Sequence, residues 1–192
     1  AQLPAEACFD VPYVVLHPMP RYAYKAWPSN NWSALVRRLN DAGLKVVLTG
    51  GNNASELAAI RDIVPEGADA VILAGKLSFG QTAELIARSK GFVGPDTGTT
   101  LVASSRGVPI FTLFGPSYPT AWGPWGRGQT KPFDSRNDGV PQRRGNVILL
   151  KKHCKCQGGM GCLNRRVSHS DCLNELTVDE VWDALEELKV VA

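Results

Sequence analysis

The amino-acid sequence predicts a Rossmann-like α/β domain: a doubly wound parallel sheet of about six strands with helices on both faces. Short apolar runs alternate along the chain with segments of helical periodicity. The runs are apolar throughout rather than alternately apolar and polar, which is typical of strands buried on both faces of a parallel sheet. The chain has 192 residues, a length that suits a single domain with one hydrophobic core.

Each element has its own signal in the chain. The first helix is predicted from the spacing of Trp32, Leu35, Val36 and Leu39, which share one helical face. Ser78 is a candidate N-cap for the third helix, and the run from Thr177 to Glu180 has the form of a capping box. The predicted strands are 13–17, 45–49, 70–74, 91–93, 109–114 and 146–150, and the predicted helices are 31–42, 54–64, 78–89, 99–106 and 178–189.

These elements define one domain, residues 1–192. Its core is predicted at 13–150, followed by a cysteine-bearing loop at 151–176 and a C-terminal helical segment at 177–190. In sheets of this type the ligand lies outside the carboxyl ends of the strands. The candidate ligand loops are therefore 18–28, 50–53, 75–77, 95–98 and 115–126. None of them contains G-x-G-x-x-G or the P-loop pattern, so an ordinary nicotinamide or ATPase site is not indicated.

The segment Asp96-Thr97-Gly98 lies between a predicted strand and a predicted helix. A corner of this kind directs unpaired N–H groups and the positive end of the helix dipole at a ligand, which suits a phosphate. Asp96 and Thr97 are also residue types that commonly cap a helix. Both interpretations stay open from this segment alone.

A basic band extends from Arg127 to Lys155, with eight cations against Asp134 and Asp138. Such a band suits phosphates or an anionic membrane surface, and a solvated loop is the alternative. We expect no nucleic-acid partner, because the band has few aromatic side chains for base stacking. No run approaches the roughly 20 apolar residues of a membrane span, and the predicted location is cytoplasmic, with peripheral contact at the inner face of the cytoplasmic membrane as an option.

Four cysteines lie close together in the C-terminal part of the chain, and these soft ligands could bind a structural zinc ion. The spacing between the first two is not that of the usual zinc knuckle, so plain thiols are the alternative. The candidate zinc ligands are Cys154, Cys156, Cys162 and Cys172.

Several loop motifs occur in a recognisable order. They are His17-Pro18, Lys25-Ala26-Trp27-Pro28, Leu48-Thr49-Gly50-Gly51, Gly94-Pro95-Asp96-Thr97-Gly98 and Leu113-Phe114-Gly115-Pro116-Ser117 with Trp122-Gly123-Pro124. In order and spacing the chain resembles the C-terminal half of the bacterial heptosyltransferases, glycosyltransferase family 9. Each motif alone is weakly specific, but together they are a strong signal.

The resemblance implies a two-domain GT-B enzyme of which this chain is the donor-binding domain, without the N-terminal acceptor domain. The implied donor is ADP-L-glycero-β-D-manno-heptose, and the implied acceptor is the lipopolysaccharide inner core. The implied transfer inverts the anomeric centre and requires neither a covalent intermediate nor a metal or other cofactor. The family's general base lies in the N-terminal domain, so no catalytic residue is expected here and the isolated chain is expected to be inactive.

The resemblance also assigns donor-binding roles. Lys25 would bind the diphosphate, together with Thr97, Gly98 and Thr99. Asp96 would accept hydrogen bonds from sugar hydroxyls, Glu56 would bind the ribose, and Lys76 and Leu77 would line the nucleobase pocket. Leu101 departs from the family, which often has histidine there, and this leaves the identity of the sugar open.

Three alternatives to this interpretation remain at the level of sequence. The chain could be a non-catalytic nucleotide-sugar or carbohydrate-binding module, a family 9 transferase with a different donor sugar, or an unrelated α/β domain whose Asp-Thr-Gly corner only caps a helix.

Overall fold

The computed structural model describes residues 1–135, 138–153 and 170–191. Seven strands form one sheet in the order β3-β2-β1-β4-β5-β7-β6. Their bounds are β1 Tyr13–Leu16, β2 Lys45–Leu48, β3 Ala70–Ile72, β4 Gly91–Pro95, β5 Ile110–Phe114, β6 Gln142–Arg144 and β7 Val147–Lys151. All neighbouring pairs are parallel except β6 with β7, which is antiparallel.

The sheet confirms the predicted doubly wound fold and the six predicted strands. The additional strand is β6, which consists of Gln142, Arg143 and Arg144 and lies at one edge of the sheet. Its polar side chains give no apolar run, because an edge strand is not buried on both faces. The prediction of about six strands is therefore confirmed, and β6 is the one addition.

The helices alternate with the strands. They are α1 Ser29–Asp41, α2 Ala54–Ile63, α3 Phe79–Ala87, α4 Gly98–Ser105, α5 Pro119–Trp122, α6 Asp171–Asn174 and α7 Val178–Glu187. The five long helices were predicted, whereas the four-residue helices α5 and α6 were not. Ser78 caps α3 and Thr177 caps α7, each through the predicted capping box.

The helices bury apolar side chains on both faces of the sheet. Residues of α1, α2 and α7 pack with Val14, Leu16 and other strand residues in one cluster. Residues of α3 and α4 pack with Val15, Phe92 and others in a second cluster on the opposite face. Since successive side chains of a strand point to opposite faces, the alternation of Val14, Val15 and Leu16 divides β1 between the two clusters.

The C-terminal helix also holds the loop that follows β1. Trp27 is buried in this loop, and its indole Nε1 donates a hydrogen bond of 2.8 Å to the carbonyl of Leu176, just before α7. The Asn31 amide donates to the same oxygen at 3.2 Å. On α7 itself, Trp182 lies under the Arg38 guanidinium, 4.3 Å from it. The loop that carries Lys25 is thus attached to the end of the chain.

Part of the basic band is neutralised by ion pairs within the protein. Arg143 contacts Glu187 at 3.0 Å, Arg144 contacts Asp134 at 3.5 Å, and Lys152 contacts Glu180. Lys151 is buried, donates to the carbonyl of Ser117 at 3.1 Å, and has its pKa lowered by burial. In the described ranges we find no helix with the length and apolar character of a membrane span.

Candidate functional site

The site lies where the order of the strands reverses. β1 pairs with β2 on one side and with β4 on the other, so the chain runs outward from β1 to β3 in one direction and from β4 to β5 in the other. The crevice at the carboxyl ends of two such strands is the usual ligand position in open α/β sheets. The loop after β1 and the Asp96-Thr97-Gly98 corner after β4 therefore meet at this crevice.

The corner after β4 begins helix α4. Thr97 is the N-cap, and its hydroxyl oxygen accepts a hydrogen bond from the N–H of Thr100. The hydroxyl of Thr100 donates to the carbonyl of Pro95 at 2.5 Å, which fixes the end of the strand against the helix. Gly98 and Thr99 are the first two residues of α4, and the N–H groups at these positions have no acceptor within the helix. Of the two candidate caps, Thr97 takes this role and Asp96 does not.

Asp96 pairs instead with Lys25. The Nζ atom of Lys25 lies 2.5 Å from Oδ2 of Asp96 and 3.5 Å from its carbonyl oxygen. The two side chains are only 18% and 9% exposed. An ammonium group has three donors, so this contact leaves Lys25 able to bind a further anion. The pair places that cation beside the N-terminal turn of α4.

A cavity of about 230 Å³ opens next to this turn. It lies among the ends of β1, β2 and β3 and the first turns of α3 and α4, and it combines apolar side chains with hydroxyl groups and one imidazole. The lining residues are His17, Thr49, Gly50, Gly51, Leu73, Leu77, Phe79, Thr82, Thr99 and Val102. A mostly apolar pocket with a few polar groups is typical of a small-molecule site.

Glu56 is hydrogen-bonded to the turn that lines one side of this cavity. Its Oε1 accepts a hydrogen bond of 2.6 Å from the N–H of Gly51, and its Oε2 accepts one of 2.9 Å from the Asn53 side chain. A Cβ on Gly50 would lie 2.6 Å from Cδ1 of the buried Ile60 and 2.7 Å from Glu56 Oε1, so a larger residue here would require these side chains to move. Glu56 thus lies over the turn that forms the cavity wall.

His17 follows β1 directly and is held on several sides. Its N–H donates to the carbonyl of Val93 at 2.9 Å, and its ring Nδ1 lies 3.0 Å from the hydroxyl oxygen of Thr49. The imidazole ring is stacked near Phe92 at 6.5 Å. Burial lowers the pKa of His17 to about 4, because a charged imidazolium would lose its hydration. His17 is therefore neutral at neutral pH.

With this geometry in place, comparison with known proteins decides the family. A sequence profile described as glycosyltransferase family 9 (heptosyltransferase) matches residues 1–150. The chain belongs to glycosyltransferase family 9. It is 32% identical over 115 residues to lipopolysaccharide heptosyltransferase 3 of Escherichia coli, a match that covers 59% of this chain and 34% of that protein.

Solved structures of family 9 enzymes share the fold. The structure of E. coli ADP-heptose lps heptosyltransferase II superposes with a TM-score of 0.70 at 23% identity, covering 93% of this chain and 46% of that one. E. coli heptosyltransferase WaaC with ADP gives a TM-score of 0.68 at 23% identity, covering 97% and 46%. The chain thus spans about a third of the related sequence and just under half of each structure.

The residues that family resemblance assigned to the donor fall into two groups. Leu77 and Thr99 line the cavity, with Glu56 at its wall. Lys25 and Asp96 form the pair beside Thr97 and Gly98, outside the cavity lining. The side chain of Lys76 is exposed and is not part of the cavity wall. Leu101, the position at which the sequence departs from the family resemblance, is 45% exposed on α4.

Other cavity residues were not assigned a role from the sequence. His17 and Thr49 each come directly after a strand. The rule that ligands bind outside the carboxyl ends of the strands would therefore also have selected them. Gly50 and Gly51 lie in the predicted ligand loop 50–53. The others come from helix faces or strand ends whose direction the sequence pattern does not specify: Leu73, Phe79, Thr82 and Val102. Phe79 stands out among these because it is 66% exposed although it is a large aromatic side chain.

Three of the four candidate zinc ligands lie outside the residues that the structure describes. Cys154, Cys156 and Cys162 lie in the range 154–169, which is not among the described residues. Cys172 is described and is buried, and its Sγ lies 3.5 Å from the hydroxyl oxygen of Ser170. Within 1–135, 138–153 and 170–191 we find no group of three or more side chains arranged to bind a metal. Zinc binding therefore stays a prediction.

Proposed function

We propose that this chain is the nucleotide-sugar-binding half of a family 9 glycosyltransferase that transfers heptose from ADP-heptose to the inner core of lipopolysaccharide. The observation that carries this proposal is the position of the Lys25 ammonium beside the first turn of α4, next to a nucleoside-sized cavity. A cation and a helix N-terminus attract a diphosphate together, and an adjacent apolar cavity suits the nucleoside attached to it.

The diphosphate would lie at the start of α4. The N–H groups of Gly98 and Thr99 and the hydroxyl of Thr97 are the donors available there, and Lys25 adds a positive charge. Lys25 would offset the negative charge that develops on the departing diphosphate as the glycosidic bond forms. Asp96 is already paired with this lysine, and its remaining acceptor capacity would go to hydroxyl groups of the sugar rather than to phosphate.

The nucleoside would occupy the cavity. Leu77 and Phe79 supply apolar surface for a base, and Glu56 lies at the wall where ribose hydroxyls would come within reach. The solved WaaC structure was obtained with ADP, which supports adenine as the base.

The reaction we propose is a direct, inverting displacement at the anomeric carbon, without a covalent intermediate and without an obligatory metal. The catalytic base and the acceptor site would lie in the other half of a GT-B enzyme, and residues 1–192 would be one donor-binding domain. The enzyme would work in the cytoplasm. Those basic residues beyond Arg127 that are not paired within the protein would bring it to the inner face of the membrane, where the lipopolysaccharide acceptor lies.

Calorimetry on the 192-residue chain tests the proposal. We expect saturable binding of ADP and of ADP-heptose, with weaker binding of UDP and GDP if the cavity selects adenine. Adenosine without phosphates is the matched control, and it should bind much more weakly because it lacks the anionic group that Lys25 and α4 attract. Absence of saturable binding of every nucleoside diphosphate at millimolar concentration would refute the donor-binding role.

A further inference from the structure

We propose that His17 is a specificity-determining residue: its Nε2 atom presents a hydrogen-bond acceptor to the cavity and recognises a donor group on the nucleoside of the bound nucleotide sugar. The inference concerns the tautomer and the direction of one imidazole ring. It rests on the proposed function only in taking the cavity as the nucleoside site.

Two contacts of the Thr49 hydroxyl favour one tautomer of His17. Its Oγ1 lies 3.0 Å from Nδ1 of His17, and it donates to the carbonyl of Leu16 at 3.3 Å. A hydroxyl has a single proton, so both contacts are hydrogen bonds only if Nδ1 carries a proton and donates to Thr49. A neutral imidazole that donates from Nδ1 has an unprotonated Nε2, which is an acceptor.

His17 lines the cavity, and because its Nδ1 is taken by Thr49, Nε2 is the ring nitrogen left for a ligand there. The His17 N–H is bonded to Val93, Nδ1 is bonded to Thr49, and the ring is stacked near Phe92. Among the described residues no side chain or backbone group donates to Nε2, although His17 lines the cavity wall. Binding a ligand donor there would complete the hydrogen bonding of a largely buried polar group.

Charge decides which ligand group can take that position. Burial keeps His17 neutral at neutral pH, so Nε2 offers a lone pair and no positive charge. A lone pair repels a phosphate oxygen but accepts from a hydroxyl or an amino group. The recognised group is therefore a ribose hydroxyl or the exocyclic amino group of the base, and the diphosphate is left to Lys25 and α4.

The test combines one variant with a set of nucleotides. His17→Asn can keep a donor toward Thr49 but has no acceptor at the position of Nε2. We expect it to bind ADP about 3- to 10-fold more weakly than the unmodified chain, the usual effect of one hydrogen bond. Thermal melting and circular dichroism of the variant verify that it is folded.

The nucleotides identify the donor group. Binding of ADP, 2′-deoxy-ADP, 3′-deoxy-ADP and inosine diphosphate is measured for both proteins. The analogue that lacks the recognised donor should bind the unmodified chain more weakly than ADP does, yet lose nothing further in His17→Asn. Equal ADP affinity of the two proteins, or the same loss in the variant for every nucleotide, would overturn the inference.

A spectroscopic measurement separates this inference from the proposed function. The ¹⁵N chemical shifts of the His17 ring, assigned by comparison with His17→Asn, report which nitrogen is protonated whether or not ADP binds. We expect a protonated Nδ1 and an unprotonated Nε2 at neutral pH. A protonated Nε2 overturns the inference, whereas failure of the unmodified chain to bind ADP overturns the proposed function.

Discussion

At the scale of single residues, the ion pair between Lys25 and Asp96 determines where positive charge is available in the site. The pair joins two loops that follow neighbouring strands, β1 and β4, and both side chains are largely buried. Asp96 fixes the lysine in place. A flexible side chain that is already held by one strong contact loses less entropy when it binds a second anion. The charge of Lys25 is thereby positioned before any ligand arrives.

We therefore expect Lys25→Ala to weaken ADP binding about 10- to 100-fold, the equivalent of about 1.5 to 3 kcal/mol for a hydrogen bond to a charged group. Lys25→Arg should recover part of the affinity because it keeps the charge. Lys90→Ala is the matched control. Lys90 is exposed and lies just before β4, at the amino-terminal end of the strand and so away from the site. Calorimetric titration with ADP measures all four proteins, and an unchanged affinity in Lys25→Ala would contradict the role.

Burial of His17 leads us to expect that the free energy of unfolding depends on pH. The pKa of His17 is lowered to about 4 in the folded protein, whereas an unfolded histidine titrates near 6.5. Between these values the unfolded chain binds a proton that the folded protein does not, so the free energy of unfolding falls as the pH decreases from about 6.5 to 4. The contribution of His17 to this fall is at most about 3 kcal/mol.

Urea unfolding at pH 7, 6, 5 and 4 measures this effect, with His17→Asn as the reference. Other titrating groups are shared by the two proteins and largely cancel in the comparison. The variant should become more stable relative to the unmodified chain as the pH falls. Parallel stability curves across this pH range would show that His17 is not held neutral by burial.

At the scale of elements, the first turn of α4 combines a structural role with its proposed binding role. The Thr97 oxygen accepts from the Thr100 N–H, and the Thr100 hydroxyl is bonded to the end of β4. The turn is therefore rigid before a ligand binds, and its first two N–H groups stay directed at the crevice. If this turn binds a phosphate as proposed, the arrangement of its donors depends on the Thr97 cap.

We expect Thr97→Ala to lower the free energy of unfolding by about 1 kcal/mol, because the N-cap acceptor is lost. Thr97→Ser retains a capping hydroxyl and should restore most of the stability. Thr99→Ala is the matched control: Thr99 lies two residues further on, inside the helix, and its loss should change stability by less than about 0.5 kcal/mol. If urea unfolding finds equal effects for Thr97→Ala and Thr99→Ala, the cap assignment fails.

At the scale of the whole molecule, the doubly wound sheet could be predicted from the sequence because its central strands are buried on both faces and therefore apolar throughout. β6 lies at the edge with polar side chains, and α5 and α6 have only four residues each, so none of these has a clear sequence signal. The ligand loops also followed from the sheet, since they come directly after its strands.

The contacts inside the site could not be predicted in the same way. Lys25 and Asp96 are 71 positions apart, and His17 and Thr49 are 32 positions apart. Pairs of this kind depend on strand order and register, which a one-dimensional pattern does not fix. Phe79 and Val102 come from helices whose rotation about their own axes decides what they line. The sequence thus predicts which end of the sheet carries the candidate site, and the structure identifies which side chains pair there.

In this chain, donor binding and sugar transfer are expected to be separable. An inverting displacement needs a base to take the proton of the acceptor hydroxyl. Both carboxylates next to the candidate site are already hydrogen-bonded: Asp96 to Lys25, and Glu56 to Gly51 and Asn53. Each of these carboxylates thus already accepts hydrogen bonds from donors of the protein itself. We therefore expect the 192-residue chain to bind ADP-heptose without transferring heptose.

The measurement follows ADP release from ADP-heptose in the presence of a lipopolysaccharide inner-core acceptor, with mass spectrometry of the acceptor. A longer protein that joins this chain to the other half of a GT-B enzyme should release one ADP per heptose transferred. The isolated chain should release ADP only at the rate of background hydrolysis, although calorimetry finds the donor bound. Transfer by the isolated chain at the rate of the longer protein would show that a base lies within these 192 residues, and Asp96→Asn and Glu56→Gln would then identify which carboxylate supplies it.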